Sequence, residues 1–326
     1  MNNAVTVNVT GTDISFDAHP GETVLDAAER AGYRLPHSCR TGVCNSCDAR
    51  LTSGAVSIRQ QSLTGPADQV KLCLAQPLGP VEIAPVRISR AEPPTRRTMT
   101  TTVHRITPVT PDVTVVALRY PIGKRVKFRA GQYATIELPG GATRNYSLAN
   151  APQHNDSVQL HVRRVPGGRF SDRLLTTLRR GDELTVRLPF GEFTVDDCER
   201  PILLLVTGTG FAPARSIVED LIHRGVRRPV HLYWGARHAD ELYQGELAAK
   251  WASRHDWFRF TPVLSRPRSR WDGATGYVQQ VARTDHPDLA GHEIYACGNP
   301  AMTESARSHL AVAPENFHSD AFLPSG

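Results

Sequence analysis

Cys39, Cys44 and Cys47 stand within the nine residues that end "HSCRTGVCNSC", and a fourth thiol, Cys73, follows the third with 25 residues between them. Thiols so placed could form a disulfide knot, bind zinc, or hold an iron–sulfur cluster. Six cysteines in 326 residues are too sparse for a disulfide scaffold. A structural zinc site usually takes two C-x2-C type pairs, one from each of two knuckles. Here three candidate ligands share one loop and the fourth arrives from far away. That is the C-x4-C-x2-C…C spacing of a plant-type [2Fe–2S] cluster. Ser38, Thr41, Gly42 and Ser46 keep the loop small enough for its backbone N–H groups to approach sulfide.

Two further constellations lie downstream. In "RNYSLAN", Arg144 and Tyr146 are two residues apart, so an extended strand presents both on one side. A guanidinium and a phenol on one face suit a ligand with a phosphate and a planar ring, although a surface arginine on an ordinary strand reads the same way. Then comes "RVPGGRFSDRLLTTLRRG". Gly167 and Gly168 make a turn, Ser171 can cap a helix carrying Leu174, Leu175 and Leu178, and Gly181 ends it. A glycine turn into a capped helix N-terminus is an anion site. Further on, "PILLLVTGTGFAPARSIVEDLIHRG" reads as a buried strand, a glycine turn and a helix, without the G-x-G-x-x-G fingerprint.

The elements that must position these residues change character twice. "AVTVNVTG" and "DISFDA" alternate apolar and polar residues across a Gly-Thr-Asp turn and predict a hairpin, followed by a helix in "GETVLDAAERAG". From Thr101 to Asp197 short strands are punctuated by Pro and Gly, as in an antiparallel barrel. From Glu199 strands alternate with helices, as in a doubly wound parallel sheet with ligands at the strands' carboxyl ends. The expected organisation is an α+β cluster domain at 1–88, a polar linker at 89–99 containing Pro-Pro, a β-barrel domain at 100–198 and an α/β domain at 199–326. Charge divides along the same lines. Residues 1–86 hold six Lys and Arg against eight Asp and Glu, net −2, and the rest hold 32 against 24, net +8. The basic excess is scattered, which argues against a nucleic-acid footprint. No apolar run approaches the roughly 20 residues that cross a bilayer, and no signal peptide is evident, so a cytoplasmic protein is expected.

Residues 3–86 resemble a plant-type ferredoxin domain of the β-grasp kind. The "RNYS" and "PGGRFS" pair resembles the ferredoxin–NADP reductase superfamily. The resemblance implies that Arg144, Tyr146, Ser147, Leu148, His161, Val162, Gly167, Gly168, Phe170 and Ser171 hold FAD. "TGTGFAP" and "CGNPAM" are similar to that superfamily's nicotinamide-nucleotide turns, with Thr207 replacing the usual first glycine. This implies coenzyme contacts from Thr207, Gly208, Thr209, Gly210, Pro213, Cys297, Gly298 and Met302. It also implies Ser147 near the flavin N5 edge, Cys297 beside the nicotinamide, and Asp320 and Phe322 of "SDAF" near the ring. Cys198 reads as packing only.

The ferredoxin-first order resembles, over essentially the whole chain, the reductase components of bacterial Rieske ring-hydroxylating dioxygenases. It implies an enzyme passing electrons from NAD(P)H through FAD and a [2Fe–2S] cluster, with Cys39, Cys44, Cys47 and Cys73 as ligands. The implied partner is a Rieske-type terminal oxygenase acting on an aromatic acid such as terephthalate, and the implied state is a monomer or weak dimer. The alternatives are a reductase serving a di-iron monooxygenase or a deoxysugar dehydratase, and a non-catalytic electron-carrier or zinc-stabilised binding module. Arg237, just after "YWGA", could hold a 2′-phosphate, whereas Asp240 and Glu241 would repel one. The balance leans to NADH with NADPH tolerated.

Overall fold

Alternation of apolar and polar side chains from Val5 onward sets the architecture of the first module, because only one sheet face can be buried on a single helix. The computed structural model describes residues 4–90 and 95–322, and the chain divides into two units, Met1–Thr95 and Arg96–Gly326.

In the first unit, Val5–Val9 and Ser15–Ala18 form the expected hairpin, with Val7, Val9, Phe16 and Ala18 turned inward. Val5–Val9 also pairs in parallel with Val81–Pro85, and the sheet continues through Asp48–Ser53 to Ala67–Lys71. The helix Val24–Arg30 covers this sheet. The Thr23 side chain caps it by accepting from the Asp26 N–H, and Val24, Leu25, Ala27 and Ala28 enter the core.

The segment expected to be a linker is strand at both ends. Ser89–Arg90 pairs with Tyr33–Arg34, and a long strand already begins at Arg97, where Arg97–Met99 face Val186–Leu188. Main-chain pairing overrides the polar composition there. Pro93 and Pro94, the core of that expectation, lie outside the described residues.

The second unit opens with six antiparallel strands in the order Thr143–Ser147, Tyr133–Glu137, Glu183–Phe190, Arg97–Pro108, Val113–Arg119 and Ser157–Arg163. An isolated antiparallel bridge between Leu148 and Leu160 joins the first strand to the last, so the sheet nearly closes into a barrel. Six parallel strands follow in the order Ala274–Thr275, Phe258–Leu264, Val230–Ala236, Ile202–Thr207, Glu293–Gly298 and Phe317–Ala321. The central strand buries Leu204 and Val206 toward Phe211 and Trp234, and Leu203 and Leu205 toward Ile294 and Leu310. Helices therefore cover both faces, which is why "ILLLV" is apolar without alternation. Phe258–Leu264 and Phe317–Ala321 go beyond the strands expected from the sequence. Among the described residues no helix is long and apolar enough to cross a membrane.

Candidate functional site

Two non-glycine residues of the cysteine loop, Arg40 (φ 56°) and Asn45 (φ 59°), adopt the left-handed conformation. Ion pairs and a hydrogen bond hold the loop there. Arg40 reaches Asp26 at 2.5 Å and Glu29 at 2.7 Å, while Lys71 Nζ reaches Asp48 at 2.6 Å and Asn45 Oδ1 at 2.8 Å. The winding aims amides at sulfur: Thr41 N–H and Val43 N–H point to Cys39 Sγ at 3.3 and 3.5 Å, and Cys39 N–H to Cys44 Sγ at 3.5 Å. The four thiols fall into two pairs. The free thiols of Cys44 and Cys39 are hydrogen-bonded, and Cys47 Sγ lies 3.3 Å from Cys73 Sγ. The Cys44 thiol and the loop amides draw Cys39 down to about 4, while the same bond and burial push Cys44 up. The second pair splits likewise, with Cys73 lowered by Cys47 and Cys47 raised. Among the described residues no three His, Cys, Asp or Glu side chains converge on a single ion. Two pairs of amide-solvated thiols fit a two-iron cluster, with two thiolates to each iron, better than one tetrahedral zinc.

On the barrel, Thr143–Ser147 alternates as read from the sequence. Thr143 and Asn145 are exposed, Arg144 and Tyr146 share the opposite half-buried face, and Ser147 ends the strand buried. Tyr146 leans on Phe170, with ring centres 5.2 Å apart, and burial pushes its phenol up so that it stays protonated. Leu148 and Val162 send their side chains into the barrel core, which leaves only their main chain for a ligand.

The glycine turn and its helix depart from expectation. Ser171 does not cap the helix. The chain opens as a wide π turn over Arg169–Leu174, with the N–H groups of Asp172 and Arg173 both returning to the Gly168 carbonyl. Gly168 takes the cap position, and Ser171 Oγ folds back to accept from Val165 N–H at 3.1 Å. A Cβ on Gly168 would lie 2.7 Å from that hydroxyl oxygen, so the turn closes only around glycine. Asp172 fastens the other end, accepting from Gly167 N–H at 2.8 Å and Arg164 Nε at 2.6 Å. The helix stops at Leu178 rather than Gly181, whose N–H has returned to the barrel at Val103.

In the α/β part, Gly208–Gly210 forms a tight turn against the carboxyl end of Glu293–Gly298. A Cβ on Gly210 would overlap the Cys297 carbonyl oxygen and sit 2.7 Å from its carbon. A Cβ on Gly298, at φ 131°, would lie 2.6 Å from the Thr207 carbonyl. Thr207 has a use that glycine lacks, since its Oγ1 accepts from Asn299 N–H at 3.1 Å and ties the two turns together. Thr209 and Pro213 are buried beside this turn. Met302 instead packs in the apolar core with Leu205 and Ile294.

Ser147, Cys297, Asp320 and Phe322 lie close together. Ser147 Oγ donates to Asp320 Oδ2 at 3.4 Å, Cys297 is the parallel-register neighbour of Asp320, and Phe322 N–H donates to Gly298 O at 2.7 Å. Barrel and α/β sheet thus meet at this point. Cys297 is fully buried, and burial, with Asp320 second, pushes its thiol up.

Two residues of this junction escaped the sequence reading. Tyr243 OH meets His161 Nδ1 at 2.9 Å, with its ring edge-on to Trp234 at 5.2 Å and Phe211 at 6.2 Å. Arg163 lies flat over the Gly208 turn, where a Cβ would find its Nη1 at 3.1 Å, and its Nε faces Asp112 at 3.3 Å. Proximity over 45 or 82 residues leaves no local signal.

Burial pulls His161 down to about 3, and burial together with the neighbouring His286 pulls His231 down to about 4. Both therefore stay neutral in the folded protein. The sign follows directly. A base whose folded value lies below its ordinary 6.5 adds stability above that pH, and loses it as pH falls from there toward the folded value. Each such group costs up to about 1.4 kcal/mol per pH unit. Chemical denaturation from pH 7 to 5 should show stability falling, and His231→Gln should fall less steeply than the parent. Parallel slopes would contradict this account of His231.

Three segments of the chain match known domain families. Residues 7–78 match the 2Fe-2S iron-sulfur cluster binding domain, 100–195 the oxidoreductase FAD-binding domain, and 204–308 the oxidoreductase NAD-binding domain. The chain is 38% identical to terephthalate 1,2-dioxygenase reductase component 1 of Comamonas sp, covering 98% of this chain and 97% of that one. It is 34% identical to the CDP-6-deoxy-L-threo-D-glycero-4-hexulose-3-dehydrase reductase of Yersinia pseudotuberculosis, covering 99% of each. Among solved structures it is similar to the Amycolatopsis cytochrome P450 reductase GcoB, with a TM-score of 0.78, 31% identity, and coverage of 99% and 100%.

Proposed function

The chain belongs to the family of iron–sulfur flavoprotein reductases that includes the terephthalate 1,2-dioxygenase reductase components, and from that footing we propose that its electron acceptor is the Rieske-type oxygenase of an aromatic-acid dioxygenase. It is an oxidoreductase that takes electrons from NAD(P)H and passes them through FAD and a [2Fe–2S] cluster. Nicotinamide, flavin and cluster together supply the conversion of a two-electron donor into single electrons, and the protein supplies position and electrostatics. Arg144 and Tyr146 offer phosphate and ring contacts from one strand face. Ser147 and Asp320 fix where the flavin strand meets the end of the nucleotide sheet. Thr207–Gly210 and Cys297–Gly298 give a glycine-rich backbone floor, with the Arg163 guanidinium lying over Gly208. Phe211, Trp234 and Tyr243 wall the junction with aromatic rings and keep water out.

The acceptor assignment is carried by the 38% identity over 98% of the chain with the Comamonas reductase. The dehydrase reductase at 34% is the specific competitor. The test is anaerobic reduction of the purified protein by coenzyme, followed by mixing with a purified Rieske oxygenase or a deoxysugar dehydratase. Coupled turnover with the oxygenase alone is expected. Turnover with the dehydratase alone would replace this reading.

A further inference from the structure

Arg237 follows directly on the strand Val230–Ala236, at the carboxyl edge where open α/β sheets take their ligands. It is not free to greet a phosphate. Its Nε and Nη2 both stand 2.8 Å from Glu241 Oε1, and its own backbone N–H donates to Glu241 Oε2 at 3.1 Å. One carboxylate therefore grips three nitrogens of a single residue, and both of its oxygens are engaged. Glu241 is the anchored partner, with its side chain 15% exposed against 56% for Arg237, and it sits on the short turn Ala239–Glu241.

The surroundings deepen the effect. Asp240 and Asp112 also act on Arg237, and Asp112 is shared with Arg163 at 3.3 Å. Arg163 and Arg266, whose backbone N–H donates to Arg237 O at 3.0 Å, are cations beside these carboxylates, so the decisive feature is the chelation by Glu241 rather than the net charge of the rim. An exposed ion pair contributes little to folding. Its consequence for a ligand is larger, because a dianionic phosphate would have to displace a chelating carboxylate from Arg237. A ribose with free hydroxyls does not meet that obstacle.

We propose that Glu241 sets coenzyme choice: by sequestering Arg237 it makes the protein select NADH and reject the 2′-phosphate of NADPH. This rests on the reading of the strand end as the site of the coenzyme's adenosine half. The experiment is calorimetric titration of the holoprotein with 5′-AMP and with 2′,5′-ADP, beside kcat/KM for NADH and NADPH. The parent should bind 2′,5′-ADP no better than 5′-AMP and should favour NADH. Glu241→Gln is nearly isosteric and frees the guanidinium. It should tighten 2′,5′-ADP relative to 5′-AMP by about tenfold, the size of one charge-assisted hydrogen bond, and shift the NADH to NADPH ratio equally. Adding Arg237→Ala to that variant should erase the gain. A parent that favours NADPH, an unchanged ratio in Glu241→Gln, or a gain that survives loss of Arg237 would each overturn the proposal. Failure of 5′-AMP and both coenzymes to bind would overturn the nucleotide-site reading itself, and the proposal with it.

Discussion

Replacing Cys39 by serine should abolish electron delivery to the oxygenase while leaving flavin reduction by the coenzyme intact. Cys39 accepts from two loop amides and is the one partly exposed thiol of the four. An alkoxide is a harder ligand than a thiolate and far less accessible near neutral pH, so the soft iron–sulfide core loses one of its four holders. The segments that match the FAD-binding and NAD-binding domains belong to the other unit of the chain. Stopped-flow absorbance should show flavin bleaching at the parent rate, and electron paramagnetic resonance should show no reduced cluster. Partner-dependent turnover should fall to background. Cys198→Ser, at an exposed position, is the matched control. Sustained oxygenase turnover in Cys39→Ser would place the cluster off the electron path.

Gly210→Ala should act on the other side of the relay. The added methyl group would strike the Cys297 carbonyl, and it would lie 3.1 Å from Gly298 Cα, all backbone atoms that cannot swing aside. The two turns must part or the variant must lose stability, by about 1–3 kcal/mol for an overpacked site. A displacement near 1 Å at a reacting centre costs about a hundredfold in rate, so flavin reduction by coenzyme should fall by at least that factor. Flavin and cluster content should survive, and dithionite should still reduce both. Parent-like reduction by NADH would show that these turns do not hold the coenzyme.

What could be read from the sequence was whatever chemistry had concentrated in short motifs. The thiol spacing, the alternation around Arg144 and Tyr146, and the Thr207 and Cys297 turns are each legible within a few residues, while Cys73 and the contact between the two turns come from far along the chain. Phe317–Ala321 shows the limit. "FHSDA" is mostly polar, yet every residue is buried, because Glu293 meets His318 at 2.8 Å, Arg307 meets Ser319 at 3.1 Å and Ser147 meets Asp320. No periodicity announces a strand whose polar groups are paid for by partners elsewhere. Ser171 failed as a cap for a similar reason, since a π turn is decided by where Gly168 lets the hydroxyl go. Asp240 and Glu241 were visible beside Arg237 as charge, but the three-point grip of Glu241 depends on the turn between them.

The seam between Leu148 and Leu160 has one more effect. Ser147 pairs with Tyr133 on one side, Leu148 N–H donates to Gln132 O, and Ala149 N–H donates to Gln159 O on the other. Ser216 of the nucleotide sheet's first helix then donates to Asn150 O at 2.7 Å. The stretch from Ser147 to Asn150 is thus stitched from three directions. Dipoles fixed this firmly shift little when charge arrives or departs. With Ser147 bordering the bound flavin, as proposed above, such dipoles would hold reorganisation small, and the barrel's closure would bear on electron-transfer rate as well as on shape.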